Sequence, residues 1–87
     1  MSMPAVLKDN EIALLLEIAN MACHLGFPGH ARTISEGVLA VKENFVPAQI
    51  TKAYTYLVVD DFENALAILD PILENNKALS GPLDLPN

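Results

Sequence analysis

The chain predicts an all-α fold of two antiparallel helical hairpins, stacked as a right-handed module. Two observations carry this. The first is a shift of 34 residues that lays Ala19 on Ala53, Leu25 on Val59, Ala31 on Ala65 and Val38 on Ile72. The second is punctuation, because Gly and Pro at 26–29, Asn44, Pro47 and Asp60-Asp61 divide the chain into segments with helical apolar spacing.

Residues 1–9 read as an N-terminal lead, and Asp9 or Asn10 suits the cap of a first helix with Glu11 near its positive end. That helix is expected to reach about Leu25. Gly26-Phe27-Pro28-Gly29 ends it and starts the second, about His30 to Glu43, with Asn44 closing it. Pro47 opens a third helix to about Val59, and Asp61 caps a fourth from Phe62 to about Glu74. Pro71 removes a backbone donor within that fourth helix, so it either kinks there or stops near Asp70. Asn75-Asn76 are the expected terminator, and 77–87 reads as a flexible tail.

Small residues at fixed offsets in a 34-residue period are the signature of the tetratricopeptide helix-turn-helix unit, here as repeats of about 12–44 and 46–76. Departures are visible. Ser35 stands where a large side chain is usual, Val38 and Ile72 replace alanine, Glu43 and Lys77 replace a closing proline, and Lys52 matches Ile18. Such units bury their faces against neighbours, and about three are normally needed for stability. Two are evident here.

Composition points the same way. Of 87 residues, 52% are hydrophobic and 18% charged, more apolar surface than so short a chain hides in its own interior. A net charge of −6 argues against nucleic acid and against an anionic membrane surface. The single cysteine, Cys23, allows no internal disulfide. The opening residues lack the pattern of a secretory signal, and Glu17, Asn20 and His24 interrupt the longest apolar run. A soluble cytoplasmic protein is the expectation.

Helix one is apolar nearly all round, as helices covered on every side are. Leu15, Ile18, Ala19, Ala22 and Leu25 form one face, expected to pack on helix two; Ala13, Leu16, Asn20 and Cys23 form a neighbouring face; Leu14 and Met21 lie outside both. In helix three, Ala53 and Tyr56 are expected to face its hairpin partner, leaving a stripe of Ile50, Tyr54, Leu57 and Val58. The repeat geometry lines a concave groove with Ala13, Leu16, Asn20, Cys23, Ile50, Tyr54, Leu57 and Val58. Such a trough suits the nonpolar face of an amphipathic helix. The alternative is that these residues close on each other or on Leu79, Leu83 and Leu85 of the tail.

Catalytic and metal chemistry find little foothold. Neighbouring helical positions point about 100° apart, so Cys23 and His24 do not face each other as nucleophile and base. One Cys with His24 and His30 matches no zinc spacing. Gly26 and Gly29 lack the strand and Lys-Ser/Thr of a phosphate loop, and Asp60, Asp61 and Glu63 read as a cap cluster, not a calcium loop. No cofactor and no enzymatic activity are expected.

The opening Leu14-Leu15-Leu16-Glu17-Ile18-Ala19, the turn from Gly26 to Ala31, and Tyr54 to Leu66 with its Asp60-Asp61-Phe62-Glu63-Asn64-Ala65-Leu66 turn resemble the small tetratricopeptide-like chaperones of type III secretion needle subunits. The resemblance covers about residues 10–76. It implies a bacterial cytoplasmic chaperone that holds the needle subunit's helix in the groove. A second small co-chaperone completes a heterotrimer that blocks premature polymerisation. Leu14 and Met21, with Met3, are then candidates for the co-chaperone contact. A self-associating helical protein, or an adaptor for peptide C-termini, is the alternative.

Overall fold

The computed structural model describes the backbone of residues 8–80 and the side chains of residues 8–75. Four helices follow one another with no strand among these residues: α1 (Asp9–His24), α2 (Pro28–Val41), α3 (Val46–Leu57) and α4 (Phe62–Ser80). Each packs on the next, as helical hairpins do, and α1 also reaches α3. Among the described residues, α4 packs on α3 alone.

The turns carry the sequence period into the backbone. After α1, Phe27 N–H donates to Ala22 O (2.8 Å) and Gly26 N–H to Cys23 O (3.2 Å). After α3, Asp61 N–H donates to Tyr56 O (2.9 Å) and Asp60 N–H to Leu57 O (3.0 Å). These are the paired bonds of a Schellman stop, 34 residues apart. The pivot needs a left-handed residue each time: Gly26 at φ 93° and Asp60 at φ 63°. Glycine does this without steric cost and aspartate does not. Asp61 then caps α4 as expected, its carboxylate accepting from Asn64 N–H (3.3 Å) and Asn64 Nδ2 (2.7 Å).

Several boundaries differ from the sequence expectation. Lys8, not Asp9 or Asn10, occupies the N-cap of α1. Lysine offers no acceptor, so one reciprocal bond is made, from Lys8 N–H to Glu11 Oε1 (2.9 Å). Helix α2 begins at Pro28, whose ring suits a first helical position, and it ends at Val41, ahead of Asn44 in the left-handed region at φ 63°. Helix α4 runs through Pro71 and past Asn75-Asn76 to Ser80. The expected tail is therefore helical over 77–80, while 81–87, with Leu83 and Leu85, and the lead residues 1–7, with Met3, lie outside the described residues.

The interior is built of small side chains. Ile12, Leu16, Val38 and Ala48 form one cluster; Ala19, Cys23 and Ala31 form another. Ser35, Thr51 and Thr55 are buried as well. Ser35, the departure from the usual large residue, is fully covered and donates to Arg32 O (2.9 Å), returning its hydroxyl to its own helix. Arg32 fastens α2 to α3: Nε donates to Thr55 Oγ1 (3.0 Å), Nη2 to Thr55 O (3.3 Å), and the guanidinium lies 4.0 Å from the centre of the Tyr56 ring. Tyr56 thus meets α2 of the preceding hairpin through Arg32. Lys52 pairs with Glu36 at 3.3 Å across the same α2–α3 seam, which explains a lysine where the first repeat has Ile18.

Candidate functional site: an apolar groove over helices one, three and four

The buried sector of α1 is Ile12, Leu16, Ala19 and Cys23, with Leu15 and Ala22 half-covered. This differs from the expected packing face, because α1 touches both α2 and α3 and must bury the sector between them. Ala19 and Cys23 sit against Ala31 with Tyr54 beside them. Ile18 and Leu25, expected against α2, are 45% and 71% exposed.

A groove of about 490 Å³ opens over α3, between α1 on one side and α4 on the other. Leu16, Asn20, Ile50, Tyr54 and Leu57 line it, as the sequence placed them. Leu16 is nearly covered and forms floor; Ile50 is 48% exposed. Asn20 and Tyr54 mark the α1 side. Thr51 Oγ1 donates to Asn20 Oδ1 (3.2 Å), and Tyr54 Oη meets His24 Nδ1 at 3.3 Å, with the two rings tilted 60°. These two contacts tie α1 to α3 and hold the groove's width.

Three expected groove residues fall elsewhere. Cys23 is buried in the α1–α2 seam at 4% exposure, and burial pushes its thiol pKa up while the Arg32 charge pulls the other way. Ala13 and Val58 are exposed and do not line the groove. Conversely Pro47, Thr51, Ala53 and Leu69 line it without having been foreseen. Leu69 carried no distinguishing signal in the sequence, since its place depends on how α4 lies against α3. The expected convergence of the first helix of each hairpin left α4 out of account.

A larger cleft of about 580 Å³ lies between α2, α3 and α4. Its lining mixes Leu39 and Ile72 with Asn44, Gln49, Lys52 and Asn75, and its lysine is already paired with Glu36. It suits an apolar helix less well than the first groove. The second expected face is open: Leu14 and Met21 are 58% and 61% exposed. Among the described residues no three His, Cys, Asp or Glu side chains gather as metal ligands, and no helix is long and apolar enough to cross a membrane.

No family model, curated protein or solved structure matches the chain.

Proposed function

We propose that this protein is a helix-binding module, and that the α1–α3–α4 groove takes the apolar face of an amphipathic helix. The carrying observation is Ile50, with Tyr54 and Leu57, standing open on a groove whose floor and walls are apolar apart from a few polar markers. The turn hydrogen bonds repeated after 34 residues support a tetratricopeptide-like stacking of the two hairpins. In the finer reading the occupant is the subunit of a type III secretion needle. The setting is then the bacterial cytoplasm, a second small co-chaperone completes the complex on the Leu14–Met21 side, and subunit polymerisation is held off. That reading rests on the resemblance of the LLLEIA opening and the DDFENAL turn.

The test is co-purification of the chain with a needle subunit and co-chaperone encoded beside it, comparing Ile50→Glu and Leu57→Glu with the unaltered protein. A charge at either position would have to be desolvated on binding, so at least tenfold weaker capture is expected. Helical circular dichroism should persist for Ile50→Glu, because that side chain is half-exposed before any partner arrives. Capture unaffected by Ile50→Glu refutes the groove assignment.

A further inference from the structure

The outer face of α1, opposite its buried sector, carries Leu14, Ile18 and Met21, and the C-cap Leu25 continues it, at intervals of four, three and four residues. All four are exposed, between 45% and 71%. This is the apolar spacing of a two-stranded helical seam. It also reads the same in both directions about a point between Ala19 and Asn20. An antiparallel second α1 therefore sets Leu14 against Leu25 of the other copy, and Ile18 against its Met21, each twice.

The flanks are self-complementary in the same register. Along one edge Glu17 comes opposite His24 of the other copy; along the other, Leu15 comes opposite Ala22. Tyr54 Oη engages His24 Nδ1 at 3.3 Å, so Nε2 is the ring nitrogen left to meet the carboxylate. Beside the stripe, Ile18, Met21, Ala22, Leu25, Phe27, His30 and Ile34 enclose a hollow of about 310 Å³. In the antiparallel register Leu14 of the second copy is the side chain presented to it.

We infer that a second copy of this chain is the occupant of this face, in a two-fold antiparallel pairing of the α1 helices. The exposed parts of Leu14, Ile18, Met21, Leu25 and Phe27 amount to roughly 500–600 Å² per copy, which places the interface near the lower limit of specific ones at about 1,100 Å² in total. An interface of this size suits a weak, reversible dimer, and the micromolar range is where it is sought. The face lies away from the groove, so the pairing does not rest on what the groove binds. Where the proposed function seats a co-chaperone, the second copy is the resting occupant that a co-chaperone displaces.

Sedimentation equilibrium of the full chain, from about 5 to 500 µM to bracket that range, tests the dimer. Met21→Glu and Leu25→Lys should each weaken it at least tenfold with helical circular dichroism retained. Ile50→Glu should leave it unchanged. Proteins carrying Leu14→Cys or Leu25→Cys, oxidised separately and mixed, should cross-link chiefly in the mixture. Exchanging the edge charges tests the register, since Glu17→His alone should weaken the dimer and Glu17→His with His24→Glu should restore it. A chain monomeric throughout the range overturns the proposal. So does a dimer indifferent to both Met21→Glu and Leu25→Lys, one lost through Ile50→Glu, or preferential cross-linking of each cysteine variant with itself.

Discussion

Replacing Arg32 with methionine removes the charged fork and keeps most of the aliphatic stem, so it isolates what the guanidinium contributes. The group does three things at once. It donates to Thr55 Oγ1, it donates to Thr55 O, and it lies over the Tyr56 ring at 4.0 Å. The second bond fills a vacancy in the helix ladder, because Val59 N–H turns to Tyr56 O (3.2 Å) and leaves the Thr55 carbonyl near the negative end of α3. Two hydrogen bonds from a charged donor, at about 1 kcal/mol each after exchange with water, and a partly exposed cation–π contact of about 0.5–1 kcal/mol, total about 2.5–3 kcal/mol. For a domain of this size that lowers the melting temperature by roughly 10–20 °C. Urea and thermal unfolding followed by circular dichroism measure it. Arg32→Lys should lie about midway, because an ammonium keeps a cation near Tyr56 and loses the planar fork. A double-mutant cycle with Tyr56→Leu should return a coupling of about 0.5–1 kcal/mol. If Arg32→Met costs less than about 0.5 kcal/mol, the guanidinium merely decorates a seam that packing already closes.

Ser35→Leu should cost about 1–3 kcal/mol in urea unfolding, since a fully covered position on a close helix seam has no room for the larger branched side chain, whereas Ser35→Ala should stay within about 1 kcal/mol. Asp60→Gly should raise the stability by several tenths of a kcal/mol to about 1, by relieving a left-handed aspartate, and Gly26→Ala should lower it by about 1 kcal/mol for the converse reason; the same thermal scans read both. Cys23 gives a pH signature. Its thiol pKa is raised in the folded chain, so its burial is fully compatible with the fold below the ordinary thiol range. As pH rises through that range the unfolded chain releases its proton first, and stability falls. Cys23→Ala should remove that alkaline decline, and thiol labelling of the unaltered chain should be slow until the fold opens.

The hairpin turns were the most legible part of the chain, because their chemistry is local. Gly26-Phe27-Pro28 and Asp60-Asp61 name a stop, a pivot and a start within three residues, and the bonds that form are those the spacing implies. The end of α4 was not legible for the same reason. Asn75-Asn76 and Pro71 are local signals against helix, each of modest strength, and contact of Ala65 and Ile72 with the rest of the fold overrides them. The groove was half legible. The stripe Ile50, Tyr54, Leu57 follows from helical period alone, but which sector of α1 turns inward depends on where α2 and α3 both stand, and no spacing within α1 records that. A helix apolar all round offers several equally good faces. Ile18 and Leu25 accordingly stand exposed where a packed face was expected, and Cys23 is buried where a groove position was expected, while Leu16 keeps its place as groove floor.

The sizes of the buried side chains decide what the surface must look like. The fully covered positions are mainly Ala19, Ala31, Ala48, Ala53, Ala65, Ser35 and Thr55, with Val38 the largest of them. Alanine and serine seams let helix axes approach closely, which aligns the chain by shape and short polar bonds such as Ser35 to Arg32 O and Thr51 to Asn20. They bury little area per residue, however, and hydrophobic stabilisation scales with area at about 25 cal/mol per Å². Beyond the buried Ile12, Leu16 and Ile72, many of the large apolar residues that would supply that area in an ordinary core stand outside, at Leu14, Ile18, Met21, Leu25, Ile50, Phe62, Leu66 and Leu73. The arrangement inverts the usual division of labour: small residues set the geometry inside, and large ones hold their stabilisation in reserve for whatever covers them. A partner on the groove or on the α1 stripe should therefore raise the unfolding midpoint by mass action, in proportion to its occupancy. A face whose variants change neither that midpoint nor assembly is surface only.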